Sequence, residues 1–487
     1  MRQCEPQRIR GWFYLPEAPD ERVPGILTWE PSDGATLELI GGFSPGPDYQ
    51  PSPEGNGVYA TQIVGDVRSG TIFGESDSGK KLSIWDAQRG SYTAGISGEV
   101  REEFWSSTWV CVGAHIGSPQ DPAFIEATLE PDELYYLTND RRFCPPQWAK
   151  IAGVENPGER LVNGTQLMPY ILPVIGGYHA EYAIADIDGA RYSVNTHATR
   201  PWVSEATEAF PELKLDMMTR NLRRGRAIEL QLGANVSIRL QDEAAGSAAA
   251  FVDSMAAVLD LIRLATFSTC DVEAIWLEAT NGDQLSLLSL IGEPAAPHET
   301  HLPAAIVFTF GDVTLDSFLS TRKSLTEGRQ AAFAWSMVIG HCGYSPQFVE
   351  QYVSQVLAAA EGFDTWCLRN SGQVELNARL KALHGRLPNE VLALIDLDVN
   401  NWADWAVWAR NHVAHGGTRR RRFIQDSLQL LAIAKSVNLV TYLVVLAELG
   451  VPSEKMVDAL RNHPRLQGLL LHCEAVNQIK EMPEPPL

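Results

Sequence analysis

The hydrophobic pattern of this 487-residue chain changes period along its length, and that change limits the folds open to it. Through about residue 180, apolar residues alternate with polar ones in short runs cut by glycine and proline. From about 180 to 310 the pattern mixes, and after about 315 apolar residues recur at helical spacing. Alternation at a period of two buries one face of a strand, and a period of 3.6 does the same for a helix. The chain therefore reads as α+β. A β-rich region over 1–314, with two subdomains splitting near 180 as one option, precedes an all-α helical bundle over 315–487. Single cores stop growing at roughly 250–300 residues, so two or three domains suit this length.

The segment 9–43 predicts three strands, near 9–15, 23–29 and 35–41. Pro-Glu-Ala-Pro-Asp interrupts the first pair. Pro-Ser-Asp-Gly interrupts the second, where glycine accepts a positive φ without a Cβ clash. TIFGE and KLSIWDA continue the strands, at the spacing of a sandwich or barrel-like sheet. Residues 45–57 are rich in Pro and Gly and read first as a plain surface loop, with a long β-hairpin insertion or a mobile contact loop as alternatives. Within 226–241, RAIELQLGANVSIRLQ reads as two strands. The following segment predicts a helix with Phe251, Met255, Val258, Leu261 and Ile262 on one side, and DVEAIWLEA and DQLSLLSL return to strand.

In the last third, Ser345-Pro346 predicts the start of a helix running from Gln347 to Glu361, with Phe348, Tyr352 and Val356 on its buried stripe and Gly362 as its stop. A second helix is expected near Asn401, with Asp404 as a capping-box partner, through Trp402, Trp405 and Trp408 to His415. Gly416-Gly417 ends it. The apolar stretch 427–450 is the next helix; Lys435 near its middle favours a bundle core over a membrane span.

The net charge of −21 is unevenly distributed. Residues 1–300 hold 22 Lys and Arg against 42 Asp and Glu, whereas 301–487 hold 17 against 18. Such an N-terminal region repels nucleic acid, so any polyanion is handled by the C-terminal third. Seven scattered cysteines without a Cys-x-x-Cys fit a reducing, cytoplasmic setting and argue against a cysteine-built zinc site. His298 and His301 lack an evident third ligand, and His341-Cys342 and His472-Cys473 read as core or surface pairs. No metal or cofactor is expected. The N-terminus resembles no signal peptide, and neither a Gly-x-x-x-x-Gly-Lys loop nor a Gly-x-Ser-x-Gly elbow occurs.

The residues that invite chemistry lie in 409-ARNHVAHGGTRRRRF-423. Asn411 and His415 are four apart and share a helix face. Arg410 lies about 140° round from His415, close enough for its long side chain to reach the helix end. His415 sits at the C-terminal end, where the macrodipole favours imidazolium by a few tenths to about 1 kcal/mol. A histidine titrating near neutrality suits proton transfer. Arg419, Arg420, Arg421 and Arg422 read either as a phosphate grip or as a solvated basic turn, with Asp426 spaced to offset Arg422.

The order Arg410-Asn411-His412-Val413-Ala414-His415 at the end of an apolar helix resembles the signature of the HEPN superfamily. The stretch 11–43 is similar to the start of the N-terminal domain of ApeA-type anti-phage proteins, which carry a C-terminal HEPN domain. The resemblance implies a metal-independent endoribonuclease acting in abortive infection, on host or phage RNA. In it the ribose 2′-OH attacks the scissile phosphate and leaves a 2′,3′-cyclic phosphate. His415 is then the general acid or base, Arg410 stabilises charge on the phosphate, and Asn411 orients one of them. His412 and Arg419 to Arg422 are the expected RNA contacts. One chain offers one signature, so a homodimer through the HEPN domain is implied, as is restraint by the N-terminal region until a phage product triggers release. A non-catalytic HEPN-type module that binds RNA or a partner protein is the competing reading.

Overall fold

The computed structural model describes residues 3–43, 49–51, 58–60, 69–94, 100–131, 133–138, 178–199, 231–241, 244–291, 306–344, 346–370, 372, 375–415 and 427–479. Alternating burial forms the first three strands where the sequence places them: β1 (Gln7–Tyr14), β2 (Val23–Glu30) and β3 (Gly34–Ile40). Gly34 turns the second hairpin at φ +86°. β4 (Tyr49–Pro51) and β5 (Val58–Ala60) pair with each other, which favours the hairpin reading of that segment over a plain loop. β6 (Ser69–Ser76), β7 (Lys81–Ala94), β8 (Val100–Ser107) and β9 (Trp109–Val112) follow.

β7 serves two neighbours on one edge. Its first half pairs with β9 over Leu82–Trp85, and its second half pairs with β8 from Gln88. Asp86, at φ +49°, marks the break between them. Because β7 joins β8 as well as β6, the order β7-β6-β1-β2-β3-β8 closes into a barrel. Closure removes the exposed edges that an open sheet would carry. Its interior holds Phe13, Leu27, Trp29, Leu37, Leu39, Ile84 and Trp105 as a core of its own.

Beyond β9 the sheet continues through β15 (Gln284–Ser289), β14 (Val272–Ala279), β10 (Phe124–Pro131), β13 (Gln231–Leu240), β12 (Ala190–Thr199) and β11 (Tyr178–Ile187). Residues 226–230 lie outside the described residues; over Gln231–Leu240 one unbroken strand runs through the break expected between two, with Gly233 and Asn235 kept in the ladder by pairing with His197 and Asn195. A single helical turn, α1 (Leu134–Thr138), and a long helix, α2 (Ala248–Thr266), pack on this part of the sheet. Ser247 caps α2, and its five predicted apolar residues are buried.

The bundle comprises α3 (Leu315–Leu325), α4 (Arg329–Ile339), α5 (Val349–Gly362), α6 (Leu376–His384), α7 (Asn389–Ile395), α8 (Val399–His415), α9 (Ser427–Glu448), α10 (Ser453–Asn462) and α11 (Pro464–Asn477). Three details correct the sequence reading. α5 begins at Val349 without a side-chain cap, leaving Phe348 exposed, and Ser345 lies outside the described residues. Gly362 does not stop the helix: the chain continues into a π-helical turn, Phe363–Cys367. A Cβ at Gly362 would stand 3.2 Å from that of Ala334, so the glycine lets α5 approach α4. Third, α8 starts at Val399, where Asp398 accepts from the Asn400 and Asn401 amides at 3.1 and 3.3 Å. Asp404 instead accepts from the Asn377 amide on α6.

α2 is tied into the bundle by polar contacts. Asp260 accepts from Arg322 Nε at 2.7 Å and from Trp335 Nε1 at 2.8 Å. At its C-terminal end, Tyr442 donates to the Leu264 carbonyl at 2.6 Å and Arg465 to that of Phe267 at 3.2 Å. His463 accepts from the Leu466 amide through Nδ1, which leaves Nε2 to donate to the Thr266 carbonyl at 3.0 Å. These bonds satisfy carbonyls that a buried helix end otherwise orphans. α9 is apolar and long enough to cross a membrane, but 83% of its apolar window is buried inside the protein.

Candidate functional site

α8 owes its position to a stripe of small and aromatic residues. Trp402, Ala403, Ala406 and Ala409 are all buried against the neighbouring helices α5, α6 and α9. Trp402 Nε1 donates to Ser436 Oγ on α9 at 2.9 Å, and that hydroxyl donates on to the Ile433 carbonyl. The aromatic anchor thus packs its ring and satisfies its polar edge together. Trp405 and Trp408 are half-buried and meet edge to face.

The last two turns of α8 emerge from this packing. Arg410 is exposed, whereas Asn411 and His412 are half-buried. His415 is the last residue of the helix, so its backbone lies one turn beyond Asn411, as the spacing predicts. The His415 side chain lies outside the described residues. So do residues 416–426, which include Gly416, Gly417, Asp426 and the proposed RNA contacts Arg419, Arg420, Arg421 and Arg422.

The structure adds a residue that the sequence does not flag. Arg410 Nη1 lies 3.0 Å from Glu361 Oε2, with side chains 48% and 34% exposed respectively. Nothing local marks Glu361, which ends an apolar run on α5 49 residues earlier; only the packing of α5 on α8 brings the two together. The π-helical turn begins two residues later, and Thr365 Oγ1 donates to the Glu361 carbonyl at 2.7 Å.

A buried ion pair fixes that turn. Arg379 Nη1 on α6 lies 2.9 Å from Asp364 Oδ2, with the side chains only 8% and 1% exposed. The same guanidinium donates to the carbonyls of Asn370 and Gly372, and Asn370 Nδ2 donates to Asp364 Oδ1. Buried charges are tolerated only with such full hydrogen bonding. The segment that carries Glu361 is thereby anchored to α6.

Other sequence candidates sort differently. His341, Cys342 and Cys473 are buried and His472 is half-buried. Burial pushes the Cys473 thiol up to about 12 and pulls His341 and His472 below the ordinary imidazole range. His298 and His301 lie outside the described residues. Among the described residues no three His, Cys, Asp or Glu side chains cluster as metal ligands would.

The arrangement is a surface arginine, an amide and a helix-terminal histidine at the end of a bundle, behind a closed barrel and an extended sheet. No curated protein and no solved structure matches the chain. Two families do. The one described as Apea-like HEPN matches residues 344–455, which span α5 to α9 and hold the candidate site. The one described as ApeA N-terminal domain 1 matches residues 8–320, more than half of the sequence. The chain therefore belongs to the ApeA family, in which an N-terminal ApeA domain precedes a HEPN domain, and it is a HEPN-type effector of anti-phage defence.

Proposed function

We propose that this protein is a metal-independent endoribonuclease of the cytoplasm whose reactive set is Arg410, Asn411 and His415. The observation that carries the reading is the end of α8: three polar residues of the HEPN pattern on its last two turns, with Arg410 exposed beside a carboxylate that a phosphate can replace. The ribose 2′-OH gives up its proton to a base and its oxygen attacks phosphorus. The bond from phosphorus to the 5′ oxygen breaks, and an acid protonates that leaving oxygen. The products are a 2′,3′-cyclic phosphate and a 5′-hydroxyl. Arg410 offsets the charge that grows on the non-bridging oxygens, a task suited to its planar fork. His415 serves as base or acid, and Asn411 orients it or the phosphate.

The reaction uses both an acid and a base, so two copies pair through the HEPN domain to bring two histidines to one phosphate. His412 and Arg419 to Arg422 contact the RNA strand. The acidic N-terminal region holds the bundle inactive until a phage product binds it. The test is cleavage of total RNA by the purified protein in EDTA, compared with His415→Ala at unchanged oligomeric mass. The variant is expected to lose cutting by at least a hundredfold, the scale of lost acid–base catalysis. Undiminished cleavage by the variant refutes the assignment; an inert wild type under every trigger condition favours the binding-module reading.

A further inference from the structure

We infer that the mouth of the N-terminal barrel is a binding site for a small phosphorylated ligand of nucleotide size. A cavity of about 390 Å³ opens where the barrel wall is incomplete. β6 pairs with β1 from Gly11 to Tyr14 and the Asp77 amide reaches the Arg10 carbonyl at 2.9 Å, so beyond Arg10 the strand has β2 on one side and, at Arg8 and Ile9, the cavity on the other. Ile9, Leu82 and Val112, which belong to the barrel core, form an apolar floor. Arg8, Arg10 and Lys80 line the opening together with the Ser78 hydroxyl.

Arg22 just before β2, and Arg89 and Arg239 on strands of the same sheet, each sit against a carboxylate. Among the described residues, no carboxylate forms an ion pair with Arg8, Arg10 or Lys80, although residues 1–300 hold nearly twice as many acids as bases. The register explains why for the first two: Arg8 lies opposite Thr28 and Arg10 opposite Ile26 on β2. Arg8 and Arg10 are two apart on one strand, so they share a face about 7 Å apart and repel each other. Asp77 lines the cavity as well, leaving a balance of three positive charges against one negative. A phosphate of charge near −2 matches that balance, and guanidinium groups suit its oxygens bidentately.

Size and field narrow the ligand. The cavity is at the small-molecule end of the ~300–1,000 Å³ range of ligand sites, too large for a bare phosphate alone. The apolar floor suits a ring face or other apolar body. A nucleic-acid strand would carry its further phosphates across a strongly acidic surface, whereas a single phosphorylated molecule places its charge only where the cations are. The site is independent of the nuclease chemistry assigned to α8.

Isothermal titration of the full chain with a panel of ribonucleoside 5′-mono- and triphosphates tests this, with inorganic phosphate and a short oligoribonucleotide as separate arms. At least one nucleotide is expected to bind saturably, and inorganic phosphate at least tenfold more weakly because it leaves the floor bare. Arg8→Gln with Arg10→Gln is expected to weaken nucleotide binding at least tenfold while far-ultraviolet circular dichroism stays unchanged. If the double variant misfolds, Lys80→Met in the β6–β7 turn replaces it, with the same direction of effect. Failure of every nucleotide to bind at millimolar concentration overturns the proposal. So does binding that survives the substitutions, or a preference for the oligoribonucleotide over all mononucleotides. RNA cleavage by the same preparations reads the α8 site separately, since Arg8, Arg10 and Lys80 take no part in it.

Discussion

The barrel and the bundle are built on opposite plans. The barrel closes on itself and keeps a private core around Phe13, Leu37 and Trp105. The bundle shares its core with the other half of the same sheet: one apolar cluster runs from Phe124, Val194 and Val236 through α2 into Trp335, Tyr442 and Leu460. A continuous sheet is thus divided between two cores, and the division falls near β7 and β9 rather than where the sequence period changes. Hydrogen bonding and packing define different units here. Two separate cores predict that the barrel opens without disturbing the bundle, whereas the α2 half of the sheet opens only with it.

The largest test of this contrast compares two buried sites. Arg379→Met leaves Asp364 as an unpaired buried charge and is expected to cost roughly 3–5 kcal/mol, read as lost hydrogen-exchange protection across α5, α6 and α8. Leu37→Ala opens a cavity in the barrel and costs about 2–5 kcal/mol, with protection lost in β1 to β3 and retained in the bundle. Joint loss of protection in both regions for both variants would show that the cores act as one. Tyr442→Phe is a finer probe, because it orphans the Leu264 carbonyl at a fully buried position. About 1–3 kcal/mol is expected, appearing in α2 and α9 together. Protection lost in α9 alone would deny that the two helices form one unit.

Mild acid sharpens the contrast further. Burial pulls His341, His384 and His472 below the usual imidazole range, and Lys435 adds to the effect at the first and last. All three belong to the bundle. In the unfolded chain these histidines take up protons as pH falls through ~6.5, while the folded chain resists doing so. Their contribution is therefore complete above that pH and is lost as pH falls from it toward their lower folded values. Hydrogen exchange between pH 7 and 5 is expected to show the bundle loosening before the barrel; the reverse order would contradict the assignment.

Local periodicity made β1 to β3, α2 and most bundle helices legible, because side-chain burial there repeats within a few residues. The Arg410–Asn411–His415 pattern was legible for the same reason, being contained in one helix. What the sequence hid depends on partners distant along the chain. Asp404 looks like a cap partner in the sequence because Asn377, which it meets, approaches only through the packing of α6. Glu361 carries no local mark at all. The choice between sandwich and barrel stays open in the sequence because closure depends on β7 changing partners at Asp86, and the π-helical turn is hidden because Gly362 followed by Phe363 looks like an ordinary stop.

The contacts at the end of α2 bear on how freely the two halves could be exchanged. Phe267 meets the Tyr442 ring at 4.6 Å between centroids, inside what looks in sequence like the effector half. A fragment beginning at α3 would keep Tyr442, His463 and Arg465 but lose the carbonyls of Leu264, Thr266 and Phe267 to which they donate. It would present an apolar socket and three hydrogen-bond donors to water. The bundle is therefore not built to stand alone as a cassette: the end of α2 and the helices around it fit each other as a plug fits its socket.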